Sequence, residues 1–168
     1  MAATTAGGVT SGILFWLLSG LFAPLTTEVR VAVFLALAAL VLLVGHGLLG
    51  WRLPQTRQQI PRTVFDRSPA RAAARFGYEL GTGLRTYLPS AAPHLLAAGL
   101  VVLGGPWWAA LALGGGFGLG RGLLPTQRAL APDPRRWDAR VDLAGPVLRG
   151  GGEVIALVGL LAATALLG

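Results

Sequence analysis

Long apolar stretches alternate with short polar ones along the whole chain. A hydrocarbon core about 30 Å thick requires roughly 20 apolar residues in a helix. Three stretches approach or reach that length, at about residues 8–25, 29–50 and 144–167. Two further apolar runs end near Gly105 and Leu124, with a Gly-Gly-Pro turn at 104–106 between them. The pattern predicts an all-α integral membrane protein with about five transmembrane helices, in a single domain over residues 1–168.

Two polar segments interrupt this pattern, and both are rich in arginine. Residues 52–75 carry six of the fourteen arginines and residues 125–142 carry four. Because positive charge marks cytoplasmic loops, we expect both segments in the cytoplasm. This places the N-terminus inside and the C-terminus outside, with the turns at 24–28 and 104–106 outside. Those turns carry little positive charge, so every predicted loop agrees with one orientation.

Composition narrows the class of protein. Charged residues make up 12% of the chain, about half the usual share in a soluble domain. A net charge of +7 is compatible with nucleic acid, but basic and aromatic residues are not interleaved on a polar domain, so no nucleic-acid partner is expected. Every basic residue is Arg and Ala, Gly and Leu are abundant, which is typical of GC-rich coding. We therefore expect the cytoplasmic membrane of a GC-rich bacterium.

The third predicted span is interrupted. Residues 72–105 would form a helix of about 50 Å, and they contain Pro89 and Pro93. A proline inside a helix removes a backbone hydrogen bond and kinks the helix. Two interpretations follow. Either an interfacial helix over about 70–84 precedes a span from Thr86, or a single discontinuous helix is broken at the two prolines.

Small and polar residues gather at this interruption. Its glycines, at 77, 81 and 83, are explained by close helix packing, as are the glycines at 114–122. The alternative is a substrate or coupling site at the break, of the kind that unwound segments form in transporters. The candidate residues for a substrate or partner site, here and in the last span, are Glu79, Arg85, Pro89, Ser90, Pro93, His94 and Glu153.

The remaining buried polar groups are few. Glu153 lies roughly nine residues into the last span, and Arg149, one turn earlier, is its expected ion-pair partner. His46 and His94 are the only histidines and could in principle bind a haem, although their spacing is not a recognised one. No cofactor, metal site or catalytic residue is predicted. The absence of cysteine excludes disulfide and thiol redox chemistry by this chain.

One stretch resembles a known family. The sequence GYELGTGLRTYLPSAAP, residues 77–93, resembles the fourth helix of the CcdA/DsbD family of membrane thiol–disulfide transporters, which carries a Gly-rich approach to a Pro-Cys-x-x-Pro element. The sequence GFGLGRGLLP, residues 116–125, resembles the next helix of that family. Ser90 stands where the family has cysteine, and the family's first, cysteine-bearing helix has no equivalent. Thiol–disulfide exchange requires a thiolate, so the resemblance implies a redox-inactive relative that has kept the scaffold.

Three classes of function are compatible with these features. The first is a non-catalytic scaffold or subunit of a membrane complex. The second is a transporter or channel for a small solute or ion, with its site at the interrupted third helix. The third is a membrane redox subunit with a bound cofactor. The expected partners are the lipid bilayer and either further copies of the chain or other membrane subunits.

Overall fold

The structure is a computed structural model that describes residues 1–54, 68–83, 88 and 90–167. Within these ranges the chain forms six α-helices. A short 3₁₀ turn, Gly20–Phe22, continues the first of them. The helices are α1 (Ala2–Ser19), α2 (Thr27–Gly45), α3 (Pro69–Thr82), α4 (Ala92–Val102), α5 (Trp107–Leu130) and α6 (Pro134–Leu167).

Three of these helices are long and apolar enough to cross a membrane. They are α1 with its 3₁₀ turn, α2, and the part of α6 up to Ala165. This confirms the helical class and the capacity to span a membrane. Helix α5, with 24 residues, is also long enough, but its glycines and polar last turns make it less apolar. Helix α4 has 11 residues, about 16 Å, and cannot cross a hydrocarbon core alone.

The predicted polar segments contain more helix than expected. Most of 125–142 is helical, because α5 continues to Leu130 and α6 begins at Pro134. The Asp133 carboxylate caps α6 by accepting hydrogen bonds from two backbone N–H groups in its first turn, at 3.0 and 3.1 Å. Proline is favoured at the first position of a helix. Hydrophobic patterning detects only the apolar part of a helix, so it predicts a loop over these polar turns. Most of 52–75 lies outside the described residues.

The third predicted span corresponds to two helices. Helix α3 ends at Thr82, where Gly83 takes the left-handed conformation (φ 70°) that terminates helices. It matches the helix expected over about 70–84. Helix α4 starts at Ala92, later than the expected Thr86, with Pro93 in its first turn. The backbone N–H groups of a first turn have no partner within the helix, so a proline there costs no hydrogen bond. Pro93 therefore begins a helix and does not break one.

Contacts along the bundle give the relative directions of several helices. The start of α1 lies beside the end of α5, and the Trp16 indole near the end of α1 donates to the Gly105 carbonyl before α5, at 3.0 Å. Helices α2 and α4 are likewise antiparallel. Helix α6 runs parallel to α4, since Glu153 meets the beginning of α4 and Leu160 meets Gly99 further along.

The apolar core lies between α2, α4 and α6. Its fully buried side chains come from two of these helices, with Phe34 on α2 and Leu95 on α4 both 0% exposed. Ala156 and Leu160 complete it from α6. Helix α4 is thus enclosed by its neighbours although it is the shortest helix described.

On the other side of α4, helices α1 and α5 pack backbone against backbone. A Cβ atom added to Gly8 would lie under 3.0 Å from the Gly114 carbonyl oxygen, and one added to Gly114 would meet Gly8 in the same way. Gly118 faces Thr4 at the next turn, and Gly81 of α3 approaches Thr4 from a third direction. The predicted close packing is therefore confirmed for Gly81, Gly114 and Gly118, whereas nothing lies within 4 Å of the Cβ positions of Gly116 and Gly120. Spacing small residues four apart is how membrane helices bring their backbones together.

Gly114→Ala is expected to destabilise the bundle by about 1–3 kcal/mol, the usual cost of overpacking. The new methyl group would meet backbone, which can move only if α1 and α5 separate. Gly116→Ala is the matched control, because nothing lies within 4 Å of its Cβ position. The free energy of unfolding, measured by circular dichroism during titration of the detergent-solubilised protein with dodecyl sulfate, checks both. Equal effects of the two substitutions would show that the α1–α5 contact does not limit stability.

Candidate functional site

A cavity of about 510 Å³ lies where α3 ends and α4 begins, with α1 and α5 forming its other walls. Its size falls within the range of small-molecule sites in proteins, roughly 300–1,000 Å³. The lining is mainly apolar and includes the side chains of Phe15, Leu96, Leu100, Leu113 and Phe117. The cavity thus lies at the junction of α3 and α4.

Three polar side chains also line the cavity. The Ser11 hydroxyl donates to the carbonyl of Thr82, the last residue of α3, at 2.9 Å, and the Thr82 hydroxyl donates to the Glu79 carbonyl at 2.8 Å. His94 is the third. Its Nε2 atom lies 3.0 Å from the Pro54 carbonyl oxygen. Its Nδ1 atom is buried and has no hydrogen-bond partner among the described residues.

Glu153 lies at a different place, where α2, α4 and α6 meet. It is 8% exposed. One carboxylate oxygen accepts from the Ala91 backbone N–H at 2.9 Å, and the other lies 3.0 Å from Nε2 of His46. Ala91 is the N-cap of α4, so the carboxylate meets the positive end of that helix. The expected partner on its own helix, Arg149, instead donates to the Gly145 carbonyl at 3.4 Å.

The opposite end of α4 carries the opposite charge. The Arg30 guanidinium lies 3.5 Å from the Leu103 carbonyl oxygen, at the C-cap of α4. It also donates to the carbonyls of Ala23 and Leu25, at 2.7 and 3.1 Å. A cation at carbonyls that end a helix is the favoured arrangement. Sequence reasoning gave Arg30 no role. The one available signal was a lone cation just inside a predicted span.

The structure brings some of the predicted site residues together and separates others. Pro93 and His94 line the cavity. The Ser90 hydroxyl accepts from the Ala92 N–H at 3.0 Å, so it lies with Glu153 at the beginning of α4. Glu79 forms an ion pair with Arg75, one turn earlier on α3. The remaining two candidates, Arg85 and Pro89, lie outside the described residues.

The two histidines are engaged separately. Nε2 of His46 pairs with Glu153, and Nε2 of His94 pairs with the Pro54 carbonyl. Among the described residues, no group of three or more His, Asp or Glu side chains is placed to hold a metal ion.

No protein family, curated protein or solved structure matches this chain. The class defined by the fold is a helical protein with three helices able to cross a membrane.

Glu153→Ala is expected to cost about 2–3 kcal/mol, because it leaves the buried Ala91 N–H without an acceptor. His46→Ala should cost less than about 1 kcal/mol, since the His46 side chain is 59% exposed. Glu153→Gln should fall between them, because its amide oxygen can still accept from Ala91. Thermal unfolding of the purified protein distinguishes the three variants. A His46→Ala effect as large as that of Glu153→Ala would contradict the capping role.

Proposed function

We propose that this chain is a non-catalytic, multi-spanning protein of the cytoplasmic membrane that acts as a scaffold or subunit of a membrane complex. The main support for this proposal is the structural role of Glu153. Its buried carboxylate connects α6 to the end of α2 and to the start of α4. Ionisable groups inside a membrane protein are functional candidates by default. Here the carboxylate caps a helix and stabilises the bundle. Arg30 and Arg121 also have structural roles. The Arg30 guanidinium donates to the carbonyl of Leu103, the C-cap of α4, and Arg121 donates to the carbonyl of Leu80 on α3.

The outer surface of α6 supports membrane insertion and contact with further subunits. Val147, Val154, Ile155 and Val158 are each more than half exposed. Exposed apolar faces of this size mark contacts with lipid or with other protein chains. The proposed partners are therefore the bilayer and either other membrane subunits or further copies of the chain.

The proposed topology has five crossings, with the N-terminus inside and the C-terminus outside. The antiparallel pairs α1–α5 and α2–α4 support it, as does the arginine cluster around the α5–α6 turn, which would lie in the cytoplasm. Exposed Trp51 and the Trp107–Trp108 pair would lie at opposite interfaces. The third crossing would be formed by α3 and α4 together. Irregular backbone at membrane depth is tolerated where it lines a cavity, and Leu88, between these two helices, does so.

The resemblance of residues 77–93 to the CcdA/DsbD family also supports a scaffold role. The family's cysteine is replaced by Ser90, whose hydroxyl accepts from the backbone at the start of α4. A serine cannot perform thiol–disulfide exchange, but it can help to cap a helix. The proposed protein therefore keeps the family's helical framework without its chemistry.

Transport of a small solute is the second candidate function. The cavity beside the α3–α4 interruption favours it, because transporters place substrate sites at discontinuous helices. Flux of the solute across proteoliposomes would be the distinguishing property.

Labelling of single cysteines tests the topology, and the chain contains no cysteine of its own. Leu25→Cys and Trp107→Cys are both expected to react with a membrane-impermeant maleimide in intact cells. Pro132→Cys is expected to react only after permeabilisation. The Trp107 position is decisive, because a protein with only the three clearly apolar spans would place it inside. Protection of Trp107→Cys in intact cells would therefore overturn the five-crossing topology.

A photo-cross-linking residue at Ile155 tests the scaffold role. A discrete protein adduct is expected in native membranes, because Ile155 lies on the exposed face of α6. The same residue placed at Phe34, which is fully buried, is the control and should give no intermolecular product. Lipid adducts alone at Ile155, together with solute flux in proteoliposomes, would favour the transporter over the scaffold.

A further inference from the structure

We propose that the cavity between α1, α4 and α5 binds a small, largely apolar molecule carrying one hydrogen-bond donor, a hydroxyl or an N–H, and that Nδ1 of His94 accepts that bond. The proposal goes beyond the scaffold role and does not require transport. It depends on two independent observations: a cavity of ligand size and a buried polar atom without a partner among the described residues.

The hydrogen-bonding role of Nδ1 follows from the partner of the other ring nitrogen. Nε2 of His94 lies 3.0 Å from the Pro54 carbonyl oxygen. A carbonyl oxygen can only accept, so Nε2 must carry the hydrogen of this bond. In a neutral imidazole the remaining nitrogen, Nδ1, then has no hydrogen and is an acceptor. The contact with Pro54 therefore determines both the ring orientation and the chemistry of the open atom.

A buried acceptor without a donor is unfavourable and uncommon. Most buried polar side-chain atoms in proteins have a partner. Nδ1 of His94 is the one buried side-chain nitrogen or oxygen that lacks a partner in the part of the chain that the structure describes. By contrast, the buried Glu153 carboxylate has a partner for each oxygen. This unsatisfied acceptor therefore belongs to a residue that lines the cavity.

The remaining lining determines the rest of the ligand. Apart from His94, the side chains that reach the cavity from α4 and α5 are apolar, and two rings, Phe15 and Phe117, contribute flat surfaces. Ser11 already donates its hydroxyl hydrogen to Thr82. A charged ligand would lose its hydration without gaining a counter-charge. An apolar molecule with a single donor matches this wall. Movement of the neighbouring wall side chains, which is common on binding, would uncover Nδ1 while the Nε2–Pro54 hydrogen bond is kept.

A matched pair of compounds tests the proposal. The probes are 4-octylphenol and 4-octylanisole, which differ in the methyl group that removes the phenol's donor. The full chain is prepared in lipid nanodiscs with ¹⁵N-labelled histidine, and the two imidazoles are observed by NMR. We expect octylphenol to shift the Nδ1 resonance of His94 saturably, with about tenfold higher affinity than octylanisole. His46 is the internal control and should not shift.

Two variants locate the effect. His94→Phe should reduce the affinity for octylphenol to that for octylanisole, as measured by equilibrium binding. Ala97→Phe fills the cavity from α4 and should weaken both probes by tenfold or more, with Gly116→Ala as the control outside it. The phenol–anisole comparison in the unmodified protein does not depend on whether either variant folds.

Three results would overturn the proposal. The first is an imidazole spectrum showing the hydrogen of His94 on Nδ1. The second is an equal shift of His94 by octylphenol and octylanisole, which would indicate a merely apolar cavity. The third is no saturable shift with either probe.

Discussion

The arrangement of this bundle depends on the two charged side chains at the ends of α4. A helix leaves unpaired N–H groups at its start and unpaired C=O groups at its end, and an apolar environment offers them no water. Glu153 supplies an acceptor at the first end and Arg30 supplies one donor at the second. Each side chain also places a favourable charge at its end of the helix dipole, negative at the start and positive at the end. Because Glu153 belongs to α6 and Arg30 to α2, capping α4 also sets the register of all three helices.

The other half of the bundle is held by a different constraint. In the proposed membrane topology, apolar side chains would gain nothing by leaving lipid for protein, so close van der Waals packing would have to hold α1 against α5. Gly8 and Gly114 permit that approach because neither has a side chain. The bundle therefore has a side-chain core on one side of α4 and a backbone contact on the other. The cavity lies between these two kinds of packing, where α3 has already ended.

Much of the fold could be predicted from the sequence, and the gaps have physical causes. Apolar runs predicted α1, α2 and the apolar part of α6, and glycine spacing predicted the close faces of α3 and α5. The polar start of α6 was missed, because Asp133 caps a turn that carries no apolar signal. The partner of Glu153 was misassigned because local spacing suggests only neighbours on one helix. Its actual side-chain partner, His46, is 107 positions away.

The candidate site shows why charge alone was an incomplete guide to function. Glu153 is a functional candidate by its charge, yet both of its carboxylate oxygens have partners. Its substitution is therefore expected to change the stability of the bundle. His94 carries no obligatory charge, and a lone histidine in a span is usually explained by packing. What separates the two is the state of their hydrogen bonds, which only the assembled structure reveals. A satisfied polar group stabilises the protein that contains it, whereas an unsatisfied one beside a cavity can still contribute a hydrogen bond to a ligand.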